Sequence, residues 1–267
     1  MNSIDLPKKN FWKKLLTPFA VLIAALAKFK GLLLPALKFL PLLLKTGGTM
    51  ILSIGVYALW WGWRFALGFV LLIFVHECGH LIAARRCGLK VGLPVFIPFM
   101  GAVIALKDAP RNAWIEATVG MGGPLLGSAG AVVCLLIYGL THSLLFLVLA
   151  YSGFWLNLFN LIPIVPLDGG RIATAISPWL WLVGIVVLVV VLLQSSWNFF
   201  LLIIVALSLP RVFTLFRRRT EAEQRFYQLT PAQRLWMSGQ FFGLAGVLGY
   251  LMHATHQQIE TARAVVM

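Results

Sequence analysis

Phe65-Ala66-Leu67-Gly68-Phe69-Val70-Leu71-Leu72-Ile73-Phe74-Val75-His76-Glu77-Cys78-Gly79-His80 is an apolar run that ends on three ionisable side chains. In a bilayer a helix satisfies its backbone N–H and C=O groups within one segment, so the run reads as a membrane span and the chain as an all-α polytopic membrane protein. On that helix His76 and His80, at i and i+4, share one face about 6 Å apart along the axis, a spacing that suits two ligands of one zinc ion. Glu77, beside the first histidine, is positioned to act on water at such an ion. An ionisable group inside a span costs on the order of a few kcal/mol unless it has a partner, so His76, Glu77 and His80 mark a functional site.

Composition agrees with the bilayer. The 267 residues are 60% hydrophobic and 11% charged, with a mean hydropathy of +0.91. Only eight acids occur: Asp5, Glu77, Asp108, Glu116, Asp168, Glu221, Glu223 and Glu260. The net charge of +14 comes largely from short basic runs between apolar stretches, such as Lys8/Lys9, Lys13/Lys14, Arg85/Arg86 and Arg217–Arg219. Those runs read as cytoplasmic anchors under the positive-inside rule, and no soluble domain is left to carry a nucleic-acid-binding face. Cys78, Cys87 and Cys134 form no CxxC pair, so no disulfide framework is indicated. Cys78 lies two residues after His76 and points away from the His76/His80 face.

Three regions follow along the chain. Residues 1–48 are basic and apolar, with Lys28, Lys30, Lys38 and Lys45 recurring through a Leu- and Pro-rich stretch. They fit an interfacial segment with snorkelling lysines. Ala25-Leu26-Ala27 imitates a signal-peptide cleavage site, but cleavage would carry Arg85/Arg86 to the outer face against the charge rule. Residues 49–210 hold spans at about 49–63, 65–84, 114–140, 144–162, 179–193 and 198–209, the second returning to the cytoplasmic side with the histidines near its end. Residues 211–267 form a cytoplasmic linker and a C-terminal helix or seventh span over about 239–252. The expected total is six to seven transmembrane helices.

Two stretches fit no simple span. Val91–Leu106 is too broken by Pro94, Pro98 and Gly101 for a helix and too apolar for a free loop, so it predicts a short membrane-associated β segment packed on protein. Gly120, Gly122, Gly123, Gly127 and Gly130 fall in the third span. They predict close helix packing there, with the approach of a substrate backbone as the alternative.

Two histidines do not complete a catalytic zinc site, which takes three protein ligands. Glu116 stands at a helix start, where an acid complements the dipole. His142 falls at the opposite membrane face, and His253/His256 lie in the tail. Asp168 stands out, in Asn160-Leu161-Ile162-Pro163-Ile164-Val165-Pro166-Leu167-Asp168-Gly169-Gly170-Arg171. Pro163 and Pro166 stop the fourth helix, Gly169/Gly170 allow a tight turn, and Asp168 is expected on unwound backbone at the depth of His80.

His76–His80 together with the N-x-x-P-x-x-P-x-D-G pattern at Asn160–Gly169 resembles the site-2 protease family of intramembrane zinc metalloproteases, and Gly123-Pro124 looks like a third family element. The resemblance covers about residues 50–210. It implies a three-helix catalytic core from the second, third and fourth spans, zinc held by His76, His80 and Asp168, and Glu77 as general base. Asn160 is expected, by resemblance and by amide chemistry, to bond the substrate backbone or the developing oxyanion. Between His80 and Asn160 there is no room for an inserted PDZ domain, nor after Arg211 for a CBS pair, so a compact form is expected. The implied activity is zinc-activated hydrolysis of peptide bonds in single-span or membrane-tethered proteins, a bacterial anti-sigma regulator being a typical substrate. The implied setting is the lipid bilayer of a bacterial inner membrane, with the active site toward the cytoplasm. A catalytically silent membrane-helix-binding adaptor of the same fold is the alternative, and the presence of Glu77 argues against it. An ion transporter would need a polar route through outer span halves that are almost uniformly apolar. Another HExxH peptidase would need a distant Glu ligand.

Overall fold

A computed structural model describes residues 46–98, 101–106, 108–194 and 199–266. The chain divides into two units, Met1–Thr49 and Met50–Met267. The expected interfacial segment falls almost wholly outside the described residues. So do Ser195–Trp197, at the expected turn of the late hairpin.

The helices are α1 (Thr46–Trp61), α2 (Trp63–Arg86), α3 (Ala113–Thr141), α4 (Leu144–Asn160), α5 (Asp168–Ile176), α6 (Leu180–Gln194), α7 (Phe199–Phe213), α8 (Glu221–Phe226) and α9 (Pro231–Val266). Three are long and apolar enough to cross a membrane: Trp63–Arg86, Ala113–Thr141 and Pro231–Ala264. Four stretches at Gly47–Trp61, Leu144–Asn160, Leu180–Gln194 and Phe200–Phe216 are apolar but shorter. Among the described residues the protein is thus all-α apart from two strands, β1 (Val91–Ile97) and β2 (Gly101–Leu106).

Local chemistry sets where the site-bearing helices begin and end. α2 carries Arg85 and Arg86 in its last turn, complementing the helix dipole. It stops at Gly88, whose φ of 75° is left-handed. Gly88 N–H then reaches Arg85 O and Leu89 N–H reaches Ala84 O, both at 3.0 Å, a Schellman ending. Asn112 caps α3 by accepting from Ile115 N–H at 2.9 Å.

The strands pair antiparallel, Val95 opposite Val103 and Ile97 opposite Gly101. The register is irregular between Val91 and Pro94, where the proline has no N–H to give the ladder. Phe96 is buried and meets Phe74 of α2 with ring centroids 6.2 Å apart, which seats the hairpin beside the histidine-bearing turn.

α3 is the centre of the packing, contacting α2, α4 and α5. Two glycines let it come close: a Cβ on Gly79 would lie 2.1 Å from Gly122 O, and one on Gly122 would lie 2.5 Å from Gly79 O. Backbone therefore meets backbone where α2 crosses α3.

α9 departs from expectation. The apolar window at 239–252 reads as short for crossing, yet the helix runs from Pro231 to Val266. Its flanking turns are polar but helix-permissive (Gln233, Arg234, Gln257, Glu260), so hydropathy under-reads its length. Met237, Phe241 and Leu248 are buried in one cluster with Phe154, Ile172 and Ala175, which docks α9 on α4 and α5.

Candidate metal centre

His76 and His80 lie on the α2 face turned to α3, their rings edge to face with centroids 4.8 Å apart. Asp168 is the first residue of α5. Three donor atoms converge: His76 Nε2 to His80 Nε2 is 3.1 Å, and Asp168 Oδ2 lies 3.1 Å from each nitrogen. All three residues are buried.

The far side of each ring decides what the near side offers. His80 Nδ1–H donates to Val119 O at 2.8 Å, and a carbonyl only accepts. Asn157 donates its Nδ2–H to Gly153 O at 2.7 Å, which turns its Oδ1 toward His76 Nδ1 at 2.8 Å. His76 Nδ1 is therefore also the protonated nitrogen. Both Nε2 atoms then present lone pairs to one point, shared with a carboxylate oxygen. Three such donors repel at this distance unless a cation sits among them. Tetrahedral zinc with bonds of about 2.0–2.1 Å wants ligand edges of about 3.3–3.4 Å, close to those found. The donor set fits zinc. Its outer partners, Asn157 and Val119 O, are of the kind that orient metal-binding histidines.

Glycine makes room on the α3 side. A Cβ on Gly123 would stand 2.2 Å from His80 Nε2 and 2.7 Å from His76 Nε2. One on Gly127 would stand 2.3 Å from Asn157 Oδ1. Part of the glycine run thus clears space for the donors themselves, beyond the helix packing expected of it.

The Asp168 loop corrects one expectation. Asp168 opens a nine-residue helix rather than lying on unwound backbone. Gly169 and Gly170 follow it inside that helix, and what they supply is space: added Cβ atoms would lie 2.2 Å from Leu161 O and from Ile164 C, respectively. Arg171 Nη1 sits 3.8 Å from Asp168 Oδ1.

Glu77 is buried beside His76, in the field of His80, His76, Asp168 and Arg171. Asn160 is half-buried, one turn beyond Asn157, and its Nδ2–H donates to Leu156 O at 3.0 Å. The other acids and histidines considered stay apart. Glu116 faces Arg211 at 3.9 Å, His142 caps α3 at its far end, and the His256 ring packs on Tyr151. Cys78 is half-buried and outside the cluster. Asn157 has no place in the Asn160–Gly169 motif; a second amide in the same apolar helix, one turn before Asn160, is the signal the sequence offers for it.

Residues 64–144 match the sequence pattern of peptidase family M50. The chain is 33% identical over 135 residues to zinc metalloprotease MJ0392 of Methanocaldococcus jannaschii, covering 47% of this chain and 37% of that protein. Over residues 64–144, which carry both histidines and Glu77, the chain is thus similar to the M50 peptidases. Other relatives include the probable zinc metalloprotease EGY2, chloroplastic, of Oryza sativa subsp. indica, 30% identical over 169 residues and covering 47% of this chain and 30% of that protein. The putative zinc metalloprotease Rip3 of Mycobacterium tuberculosis is 32% identical over 117 residues, covering 41% and 29%. The matches span between 29% and 37% of the length of these relatives.

Proposed function

We propose that this chain is a member of the M50, or site-2 protease, family: an intramembrane zinc metalloprotease that hydrolyses peptide bonds within or near the transmembrane segments of membrane-tethered proteins. The observation that carries the reading is the triangle of Nε2, Nε2 and Oδ2 donors, both Nδ1 protons being committed elsewhere, buried among apolar helices. His76, His80 and Asp168 would hold the metal. Bound zinc supplies a Lewis acid that polarises a carbonyl and lowers the pKa of water toward about 7.

The chain's own groups do the rest. Glu77 takes a proton from the attacking water and returns it to the leaving amide nitrogen, so that a C–O bond forms as the C–N bond breaks. Asn160 turns its amide from Leu156 O to the substrate backbone or oxyanion, a charge that develops only in the transition state. A helical substrate keeps its carbonyls occupied and must unwind. An edge of the β1–β2 hairpin, seated on α2 through Phe96, is suited to pair with the extended peptide.

In this reading α2, α3 and α4 form the catalytic three-helix core of a region spanning about 49–210. Residues 211–267 supply the linker and α9 as a further span. With the four shorter apolar helices also crossing, seven spans result, the upper end of the six to seven expected. Arg85 and Arg86, one turn past His80, support a site near the cytoplasmic face, in what this reading takes to be a bacterial inner membrane.

Zinc stoichiometry of the detergent-purified chain, beside Asp168→Ala, tests the reading. One zinc per chain, lost in the variant, with cleavage of a single-span substrate abolished by Glu77→Gln, is the expected result. A folded wild type without zinc would overturn it and leave the helix-binding adaptor.

A further inference from the structure

α5 delivers Asp168 yet has little to hold itself. It is nine residues long, has no side-chain N-cap and carries no basic residue in its last turn. A helix this short does not persist alone in water. Support reaches its C-terminal end from α9. Arg234 Nη1 donates to Ile176 O at 2.9 Å and to Ala175 O at 3.4 Å, while Nη2 donates to Tyr227 O at 2.8 Å. Ala175 and Ile176 carry carbonyls that a helix end leaves open, and a guanidinium there also complements the dipole.

Arg234 is itself placed by local chemistry. Thr230 and Gln233 form a reciprocal cap at the start of α9: Thr230 N–H donates to Gln233 Oε1 at 3.0 Å, and Gln233 N–H donates to Thr230 Oγ1 at 3.2 Å. Arg234 N–H then bonds Thr230 O at 3.1 Å. Buried Met237 and Phe241 dock the following turns in the cluster that holds Ile172 and Ala175 of α5.

We infer that Arg234 is a positioning residue for the metal centre: by clamping the last turn of α5 it sets the place of Asp168, about 12 Å away at the other end of the same helix. The inference deepens the proposed zinc site and rests on it. Without the clamp the open carbonyls lose their donors, α5 frays or rotates, and the Asp168 carboxylate leaves the donor triangle. His76 and His80 stay, because α2 does not depend on Arg234. Arg234 lies well outside residues 64–144, so the working unit extends into the C-terminal helix.

The test uses the full chain in detergent, with zinc affinity read by competition against a chromophoric chelator and folding read by thermal melting. Arg234→Met keeps the stem and removes every donor, so zinc is expected to bind about 10–100-fold more weakly. Arg234→Lys, with the charge but not the two-nitrogen fork, is expected in between. Arg263→Ala, at the far end of α9, is expected to match wild type. Excess zinc should restore cleavage to Arg234→Met. Wild-type affinity in a folded Arg234→Met overturns the inference and leaves the zinc site standing. If Arg234→Met does not fold, Arg234→Lys decides: weaker zinc with an unchanged melt supports the clamp, and equal affinity overturns it. A folded wild type that binds no zinc overturns both the clamp and the metal centre.

Discussion

His76 and His80 ride on α2, a 24-residue helix that ends in its own glycine turn, whereas Asp168 rides on α5, nine residues held by what surrounds it. α2 would keep its two donors in register wherever it packed, since i and i+4 are fixed by helix geometry alone. α5 depends on Arg234 at its end, on Trp181, whose indole N–H donates to Gly170 O at 2.9 Å, and on the close approach at Gly169. Two donors are thus a local property of sequence, and the third is a property of the assembled fold. Short length alone does not make a helix dependent. α8 has only six residues but carries its own capping box between Thr220 and Glu223.

The largest test of this contrast is to remove each kind of donor. Asp168→Ala should abolish stoichiometric zinc while leaving α2 folded. Glu77→Gln should keep zinc and lower cleavage by about 10²–10⁴-fold. Full zinc occupancy in Asp168→Ala would break the pairing of the two helices. Next comes Gly169→Ala, whose methyl meets the backbone oxygen of Leu161 and cannot be relieved by a rotamer change. It is expected to cost about 1–3 kcal/mol in thermal melts and to weaken zinc as well. Gly239→Ala in α9, where a Cβ would meet nothing within 4 Å, should be neutral or stabilise by up to about 1 kcal/mol. Equal behaviour of the two alanines would remove the distinction.

Asn157→Ala should weaken zinc about 10–100-fold by freeing the His76 ring, with His80 still held by a backbone carbonyl. The smallest effect belongs to α8. The Thr220 N–H, against slight desolvation and with Arg217 beside it, holds the Glu223 carboxyl below its ordinary value. A lowered folded value means the cap's contribution is present above the ordinary carboxylate pKa of 4.5 and is lost as pH falls through the folded one. Amide exchange across Glu221–Phe226 should therefore quicken on acidification, and Glu223→Gln should blunt that response.

Much of this was legible before any coordinates. Apolar runs bounded by Arg85/Arg86, Asn112 and Pro163 put the ends of α2, α3 and α4 within a few residues of where they lie. α9 was under-read because hydropathy measures partition into lipid, while a helix extends through any residues that tolerate it. Gly169 and Gly170 were taken for turn formers, because a glycine needed for conformation and one needed for space look identical in a chain. Asn160 drew attention through its motif, while Asn157, one turn away, holds the His76 ring.

By itself the sequence determined the class of protein and the local half of the site. Hydrophobic length dictates burial in lipid, and i, i+4 spacing dictates two histidines on one face; neither needs a partner segment. Only the tertiary structure decided the other half: how Asp168, which its motif singles out, is brought to them, which nitrogens carry protons, and which distant arginine steadies the third donor. These depend on groups far apart in the chain, such as His76 and Asp168 or Ile176 and Arg234, and their meeting is set by packing. Helix geometry carries order along one segment, but the meeting of segments is fixed by the shapes of their faces, here by glycines that let α3 lie against α2 and α5.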